Sequence, residues 1–146
     1  MSNVKKMTSD RLVKMNDDVR GVYLAGLFNV IEGTPVDSGR ARNNWFLSVS
    51  APSQKTTKSK SKGLAAIRQL RTMPKSVLNK KIYFTNNLPY IGLLEYGGYP
   101  KNVKKGTFNK KLKKYEIRSI SGYSKQMPRG WVRVALRLMA NKIRKL

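Results

Sequence analysis

The sequence lacks two residue types that carry much of protein chemistry, since it contains no cysteine and no histidine. The first absence excludes disulfides and thiolate chemistry and fits synthesis in the cytosol. The second removes the commonest general base and the commonest zinc ligand. No apolar run approaches the roughly 20 residues of a membrane span, and the N-terminus lacks the apolar stretch of a signal peptide. We therefore expect a non-enzymatic protein without catalytic residues, metal, cofactor or membrane contact.

Acidic residues are scarce as well: seven aspartates and glutamates stand against 31 lysines and arginines, which gives a formal net charge of +24. Residues 1–37 are neutral, whereas residues 38–94 hold eleven basic residues and no acid. A metal-dependent nuclease gathers several carboxylates at one site, so this distribution argues against one. The surplus attracts phosphates or acidic protein surfaces. The other interpretation is a solvated surface that keeps the protein soluble.

Hydrophobic periodicity predicts a long N-terminal helix. Apolar residues recur at three- and four-residue spacing after Thr8 or Ser9, either of which can cap the helix start. Gly33 stands where a left-handed C-terminal cap is expected. Asp37 is placed to cap a short second helix, from Ser38 to about residue 44.

A second long helix is predicted at the C-terminal end. Pro128 suits its first turn. Its apolar face would consist of Trp131, Ala135, Leu138 and Met139. Four arginines at spacings of four, four and seven residues form a basic stripe. The alternative interpretation is that they are only the solvent-exposed face of an amphipathic helix. They are Arg129, Arg133, Arg137 and Arg144.

Between the helices, alternating apolar residues predict strands at 45–50, with Trp45 in the core, and at 81–86. A short helix is expected at 64–73. Residues 51–63 are polar, basic and low in complexity, which predicts a mobile loop. A second flexible basic loop, or hairpin arm, is expected at 99–114. Residues 1–146 should thus form one α+β domain, with the two long helices packed on a small, mainly antiparallel sheet and two long basic loops.

Three strings in a fixed order point to a known family. Residues 34–45 read TPVDSGRARNNW, residues 86–97 read NNLPYIGLLEYG, and residues 128–136 read PRGWVRVAL. The set resembles the tail-completion, or head–tail joining (neck), proteins of long-tailed bacteriophages. Members share a pattern like T-P-V-D-T-G-x-L/A-R-x-S/N-W, then N-x-x-x-Y-x-x-x-x-E-x-G, and a proline before a C-terminal helix. The resemblance spans roughly residues 34–135, and the lysine-rich segments depart from the family pattern.

The resemblance implies a structural virion protein, made in the cytoplasm of the host bacterium and located in the neck of the virion. Such proteins form a homo-oligomeric ring, often sixfold, around the channel through which DNA passes. The expected partners are the head connector or head-completion protein on one side and the tail terminator or tube protein on the other, with DNA possible in the channel.

Under this interpretation two groups of residues are candidate contact sites. Glu95, an acid isolated in a basic region, is expected to pair with Arg40, Arg42 or Arg129, preferably across a protomer boundary. Residues expected at a boundary with another protomer or a neighbouring ring are Asp37, Arg40, Arg42, Glu95, Arg129 and Arg133. Basic residues expected to face DNA or a partner are Lys55, Lys58, Lys60, Lys62, Lys101, Lys104, Lys105, Lys110, Lys111, Lys113 and Lys114.

An alternative from another class is a monomeric DNA- or RNA-binding protein that uses the same lysines for phosphate contacts. Aromatic residues lie near basic ones at Tyr96, Tyr99, Tyr115 and Tyr123, but core or hairpin packing is the favoured explanation for them, and no nucleic-acid-binding motif accompanies them.

Overall fold

The computed structural model describes residues 2–146 and has an α+β fold. The helices are α1 (Ser2–Gly33), α2 (Arg40–Asn43), α3 (Leu64–Leu70), α4 (Ile91–Tyr96) and α5 (Val132–Ile143). The strands are β1 (Phe46–Val49), β2 (Ile82–Thr85), β3 (Thr107–Asn109), β4 (Lys114–Glu116), β5 (Ser119–Ile120) and β6 (Tyr123–Ser124). The predicted fold class, with long N- and C-terminal helices, is confirmed.

The strands form three separate antiparallel pairs instead of the one small sheet that was predicted: β1 with β2, β3 with β4, and β5 with β6. In the first pair Leu47 lies opposite Phe84, and Trp45 stacks on Phe84 with ring centroids 5.0 Å apart. Trp45 is buried, as predicted. The other two pairs belong to the arm at residues 99–124, which confirms the expected hairpin.

The core lies where the C-terminal half of α1 packs on α5. Gly26 of α1 leaves room for Met139, whose side chain a Cβ at that position would overlap. Trp131 is buried and its indole nitrogen donates a hydrogen bond to the Val30 carbonyl at 2.9 Å. Helix α3 closes the core from the side with Ala66 and Leu70. This packing fixes the position of the turn that precedes α5.

Several predicted helix ends are wrong. Helix α1 begins at Ser2 and not at Thr8 or Ser9. Gly33 does not have a positive φ. Instead, the Thr34 hydroxyl donates to the Val30 carbonyl at 2.7 Å and so satisfies the end of α1. Helix α5 begins at Val132, so Pro128 lies in the turn before the helix and not in its first turn. Within residues 2–146, no helix combines the length and the apolar character needed to cross a membrane.

One face of α5 also differs from the prediction. Ala135 and Met139 are buried with Trp131, but Leu138 is 52% exposed. Residues 131, 135 and 139 are separated by four positions, so they follow one side of the helix. Leu138 lies with Val134, which is 51% exposed, on a different side that the other described residues leave uncovered.

Candidate functional site

The segment 34–45, which is the first motif string, connects the end of α1 to the first pair of strands. Thr34 is fully buried, and its hydroxyl accepts a hydrogen bond from the Trp45 indole nitrogen at 2.8 Å. The same hydroxyl donates to Val30 at the end of α1. One threonine therefore joins the end of the long helix to the tryptophan that starts the first sheet.

Asn43 and Asn44 are buried and hold the basic segment 51–63 against the domain. The Asn43 side-chain oxygen accepts hydrogen bonds from the backbone N–H groups of Gly63 and Ala65, at 3.0 and 3.2 Å. It thus supplies an acceptor at the start of α3, which has no cap of its own. Asn44 exchanges two hydrogen bonds with the backbone of Thr57, at 2.7 and 2.9 Å.

A third asparagine holds the beginning of the same segment. The Asn87 amide donates to the carbonyls of Ser53 and Lys55, at 2.8 and 3.0 Å. Residues 52–60 contain no helix or strand, as expected for a loop. Their hydrogen bonds to Asn43, Asn44 and Asn87 nevertheless fix the path of the backbone, which argues against the predicted mobility. The four lysines of the segment, Lys55, Lys58, Lys60 and Lys62, all point into solvent as exposed side chains.

Asp37 does not cap α2, so that prediction is wrong. The residue at the N-cap position is Gly39, with φ of 83° and no side-chain hydrogen bond. The Asp37 side chain is 69% exposed and forms an ion pair with Arg118. The N-cap position thus lies two residues later in the chain than the sequence indicated, and the Asp37 carboxylate pairs with Arg118 instead. Asp37 therefore joins the turn at 35–39 to the strand region around Arg118.

Arg42 and Arg40 lie two residues apart and differ in their contacts. The Arg42 side chain is only 20% exposed, donates to the carbonyls of Glu32 and Thr34, and lies 3.8 Å from the Glu32 carboxylate. It holds the end of α1, and its place at a boundary with another protomer or ring stays a prediction. The Arg40 Nε is buried and has no hydrogen-bond partner among the described residues.

Arg40 lines a cavity of about 430 Å³ between the 35–41 turn and the segment 99–107. Tyr90, Leu94 and Val103 contribute apolar and aromatic surface to it. Tyr99 also lines it, and burial, with a smaller contribution from Tyr90, raises the pKa of that phenol. The cavity therefore combines apolar and aromatic surface with polar residues and two arginines, Arg40 and Arg118, in its wall.

Glu95 is a buried carboxylate that accepts four hydrogen bonds. It is 4% exposed, and its carboxylate accepts hydrogen bonds from the backbone N–H groups of Trp131, Val132 and Arg133, at 2.8, 2.9 and 3.1 Å. The Arg133 guanidinium adds a fourth bond at 2.9 Å. These N–H groups form the first turn of α5, where a negative charge is favourable. The carboxylate thus caps α5 from a distant part of the chain.

The electrostatics of Glu95 follow from these bonds. Burial alone raises the pKa of the carboxyl, but the three backbone N–H groups and the Arg133 guanidinium outweigh burial and lower it below the ordinary value of 4.5. The prediction that Glu95 pairs with Arg40, Arg42 or Arg129 is wrong, because its partner is Arg133. Since all four bonds lie within one chain, they also argue against the preferred version of a pair between protomers.

The remaining boundary candidates are on the surface. Arg129 is exposed and makes no side-chain hydrogen bond or ion pair with any other described residue. Arg133 is half exposed and its guanidinium lies over the Tyr96 ring, 4.8 Å from the centroid. The structure thus brings Glu95 and Arg133 together, places Asp37 and Arg40 along the wall of one cavity, and leaves Arg42 and Arg129 elsewhere.

The second basic segment forms an exposed arm. Its sheet pairs β3 with β4, and Phe108 packs edge-to-face on Tyr115 at 5.2 Å. Lys105 lies over the Tyr115 ring at 4.6 Å. Leu112 at the tip is 53% exposed. All seven candidate lysines of the arm are exposed: Lys101, Lys104, Lys105, Lys110, Lys111, Lys113 and Lys114.

Sequence reasoning missed the three asparagines and Gln126 as structural residues. The Gln126 side chain exchanges two hydrogen bonds with the backbone of Val36, at 2.7 and 2.8 Å. A signal was present for the asparagines, since the pairs Asn43-Asn44 and Asn86-Asn87 lie inside the motif strings and next to predicted strands. Amide side chains at such positions commonly bond to a neighbouring backbone.

The described residues contain no group of three or more acidic side chains that could hold a metal ion. No protein-family model, curated protein or solved structure matches this chain.

Proposed function

We propose that this protein is a structural virion protein that forms a ring at the head–tail junction of a long-tailed bacteriophage. In this role it joins the head connector or head-completion protein to the tail terminator or tube protein, around the DNA channel. It acts by shape and surface complementarity and needs no enzymatic step. It is made in the cytoplasm of the host bacterium and ends in the neck of the virion.

The observation that carries the proposal is the way the three motif strings meet. The first string is joined to the second by the bond from Asn86 to the Ala41 carbonyl, at 2.9 Å. The second is joined to the third by Glu95 and the N–H groups that begin α5. Strings that resemble one family in their order therefore also form one bonded unit, as expected if they specify a common scaffold.

The distribution of charge supports the same proposal. The eleven lysines of the two basic segments are exposed and lie outside the core. In a ring of several copies their charges add, so the ring attracts either the DNA in its channel or an acidic neighbouring ring. Because copies with this surface repel one another, assembly is favoured only where such a counter-charge is present.

The proposal is tested by electron microscopy and by particle assembly. Purified protein should form rings with a central opening. Electron micrographs are recorded of the protein alone and with added duplex DNA. Interrupting its gene in the phage that encodes it should yield DNA-filled heads and separate tails, and purified protein added to the mixture should join them. Normal particles without the protein, or free heads and tails that the added protein does not join, would contradict the proposal.

The alternative of a monomeric DNA- or RNA-binding protein is favoured by one feature, the exposed lysines of the arm beside Tyr115. It predicts a monomer at all concentrations whose affinity for nucleic acid falls steeply with salt. Replacing the seven arm lysines by serine would then abolish binding without changing the sedimentation coefficient of the free protein. Rings that form without nucleic acid would count against this alternative.

A further inference from the structure

The basic residues of segment 53–62 start from a backbone that the domain holds in place. Asn87 and Asn44 bond to the backbone of its first half. Further along, the Asn43 amide donates to the Ser59 carbonyl at 3.3 Å. The segment also passes close over the turn before α2, since a Cβ at Gly39 would lie 3.1 Å from the carbonyl oxygen of residue 60. We call residues 53–62 the lysine segment.

Side chains alternate between two sides of the lysine segment. Residues 52–60 contain no helix or turn. Thr57 and Ser59 are half-buried against the domain. Lys58 and Lys60, the residues that follow them, are exposed. In an extended chain residues two apart share one side, so the two lysines are displayed together toward solvent. Two residues of such a chain span about 7 Å, which is comparable to the separation of neighbouring phosphates along one DNA strand.

The charges of the lysine segment are not neutralised within the protein. The three ion pairs among residues 2–146 all involve arginines, so none of the lysines at 55, 58, 60 and 62 takes part in one. Residues 38–94 contain no acid at all. Uncompensated charges held at fixed positions attract an external anion.

The composition of the lysine segment indicates which anion it suits. Residues 53–62 consist only of serine, threonine, glutamine and lysine. Lysine and hydroxyl side chains are common donors to phosphate oxygens. Protein interfaces instead have an apolar core in which lysine is depleted. The arm at residues 99–124 differs in this respect, because Phe108, Leu112 and Tyr115 are 46, 53 and 52% exposed there. The arm therefore suits a protein surface, and the lysine segment suits phosphates.

The absence of aromatic residues from the lysine segment distinguishes between forms of nucleic acid. Proteins that bind single strands stack the bases on aromatic side chains. Residues 53–62 contain no phenylalanine, tyrosine or tryptophan on which a base could stack. A surface that contacts phosphates alone suits a duplex, whose bases are already stacked inside.

We propose that the lysine segment binds the phosphate backbone of duplex DNA without reading its sequence, and that Lys58 and Lys60 contact successive phosphates. This inference rests on the proposed function, because it names the surface of the ring that faces the DNA. It also assigns DNA contact to a different segment from the arm, whose lysines would bind nucleic acid under the alternative function.

Fluorescence anisotropy of a labelled duplex of about 20 base pairs, titrated with the full chain over a range of salt concentrations, tests the proposal. The variant Lys58→Ser/Lys60→Ser should raise the dissociation constant at least about tenfold at low salt. It should also lower the slope of log affinity against log salt by about 2, since each lost phosphate contact lowers it by about 0.9. The matched control Lys110→Ser/Lys111→Ser removes the same charge from the arm and should change the dissociation constant less than about threefold. All four lysines are exposed, so far-UV circular dichroism should match that of the wild type.

Two further anions identify the class of partner. A single strand of the same length and polyglutamate of the same charge should both bind more weakly than the duplex. Tighter binding of polyglutamate would assign the lysine segment to an acidic protein, and tighter binding of the single strand would contradict a duplex site. Wild-type protein that does not bind the duplex, or equal effects of the two double variants, would overturn the proposal. A larger effect of the arm variant would overturn it in favour of the arm.

The joining of heads to tails separates this inference from the proposed function. If the protein joins particles but its affinity for the duplex does not depend on Lys58 and Lys60, the DNA site is wrong and the proposed function stands. If the affinity depends on these lysines but the protein never joins heads to tails, the DNA site stands and the proposed function is wrong.

Discussion

The Glu95 carboxylate lies 2.8 Å from the backbone nitrogen of Trp131, although 36 residues separate the two in sequence. The bond joins α4 to the first turn of α5 and is completed by bonds from the next two backbone nitrogens. Gly130 makes the approach possible, because its φ is 75° and a side chain there would meet the Glu95 carboxylate. The only acid between residues 38 and 115 is thus used inside the protein.

The first prediction concerns the pH dependence of this contact. Glu95→Gln should lower the free energy of unfolding by about 2 kcal/mol at neutral pH, since charge-assisted hydrogen bonds are lost from a buried site. The folded-state pKa of Glu95 lies below its ordinary value of 4.5, so the carboxylate contributes stability above that pH and loses it as the pH falls through the folded-state pKa. The difference between wild type and variant should therefore shrink in acid.

Urea denaturation at about pH 7 and about pH 3 measures this difference. Glu116→Gln is the matched control, because Glu116 lies in the arm and accepts a hydrogen bond only from the Asn109 side chain. A difference for Glu95→Gln that is the same at both pH values would contradict the assignment.

The second prediction separates two candidate caps in the first motif string. Asp37→Ala should change the free energy of unfolding by only about 0.5 kcal/mol, because the residue is exposed and its ion pair with Arg118 is on the surface. Asn43→Ala should cost about 3 kcal/mol, because it removes a buried acceptor of several hydrogen bonds. Thermal and urea unfolding of both variants measure the two values. A loss of about 1 kcal/mol or more for Asp37→Ala, as expected for a lost N-cap, would restore Asp37 as the cap of α2.

The sequence determined the parts of the fold that depend on local pattern. The spacing of apolar residues and the positions of turn residues predicted the terminal helices, the strands around Leu47 and Phe84, and the hairpin. The partner of Glu95 could not be predicted from the sequence, because no local pattern around residue 95 indicates that the turn at residue 130 packs against it. The same holds for Arg42, whose acceptors are backbone carbonyls and leave no sequence signal. The prediction that Asp37 caps α2 was wrong for a local reason, since Gly39 adopts the conformation found at the N-cap position.

The third prediction concerns the two basic segments in the free protein. Trypsin should cut the arm between Lys101 and Lys114 well before it cuts at Lys55 to Lys62. The reason is that Asn43, Asn44 and Asn87 hold the backbone of the latter segment, and a protease needs several residues of extended, unbonded chain. Mass spectrometry of timed digests identifies the order of cleavage. In Asn44→Ala the protection of Lys55 to Lys62 should fall while the arm is cut at an unchanged rate. First cleavage at Lys58 in the wild type would contradict the role of these asparagines.

The fourth prediction uses the two arginines that lie two residues apart in the first motif string. Arg42→Gln should lower the free energy of unfolding by about 2 kcal/mol, because its guanidinium bonds to the carbonyls of Glu32 and Thr34 at the end of α1. Arg40→Gln should leave stability nearly unchanged, since Arg40 makes no side-chain hydrogen bond within the described chain. Urea denaturation measures both.

If the recess beside Arg40 receives a partner, Arg40→Gln protein should fold normally yet fail to join heads to tails, whereas Arg42→Gln protein that remains folded should still join them. Normal joining by Arg40→Gln would show that Arg40 is not a contact residue, and unchanged stability of Arg42→Gln would show that its bonds do not hold the end of α1.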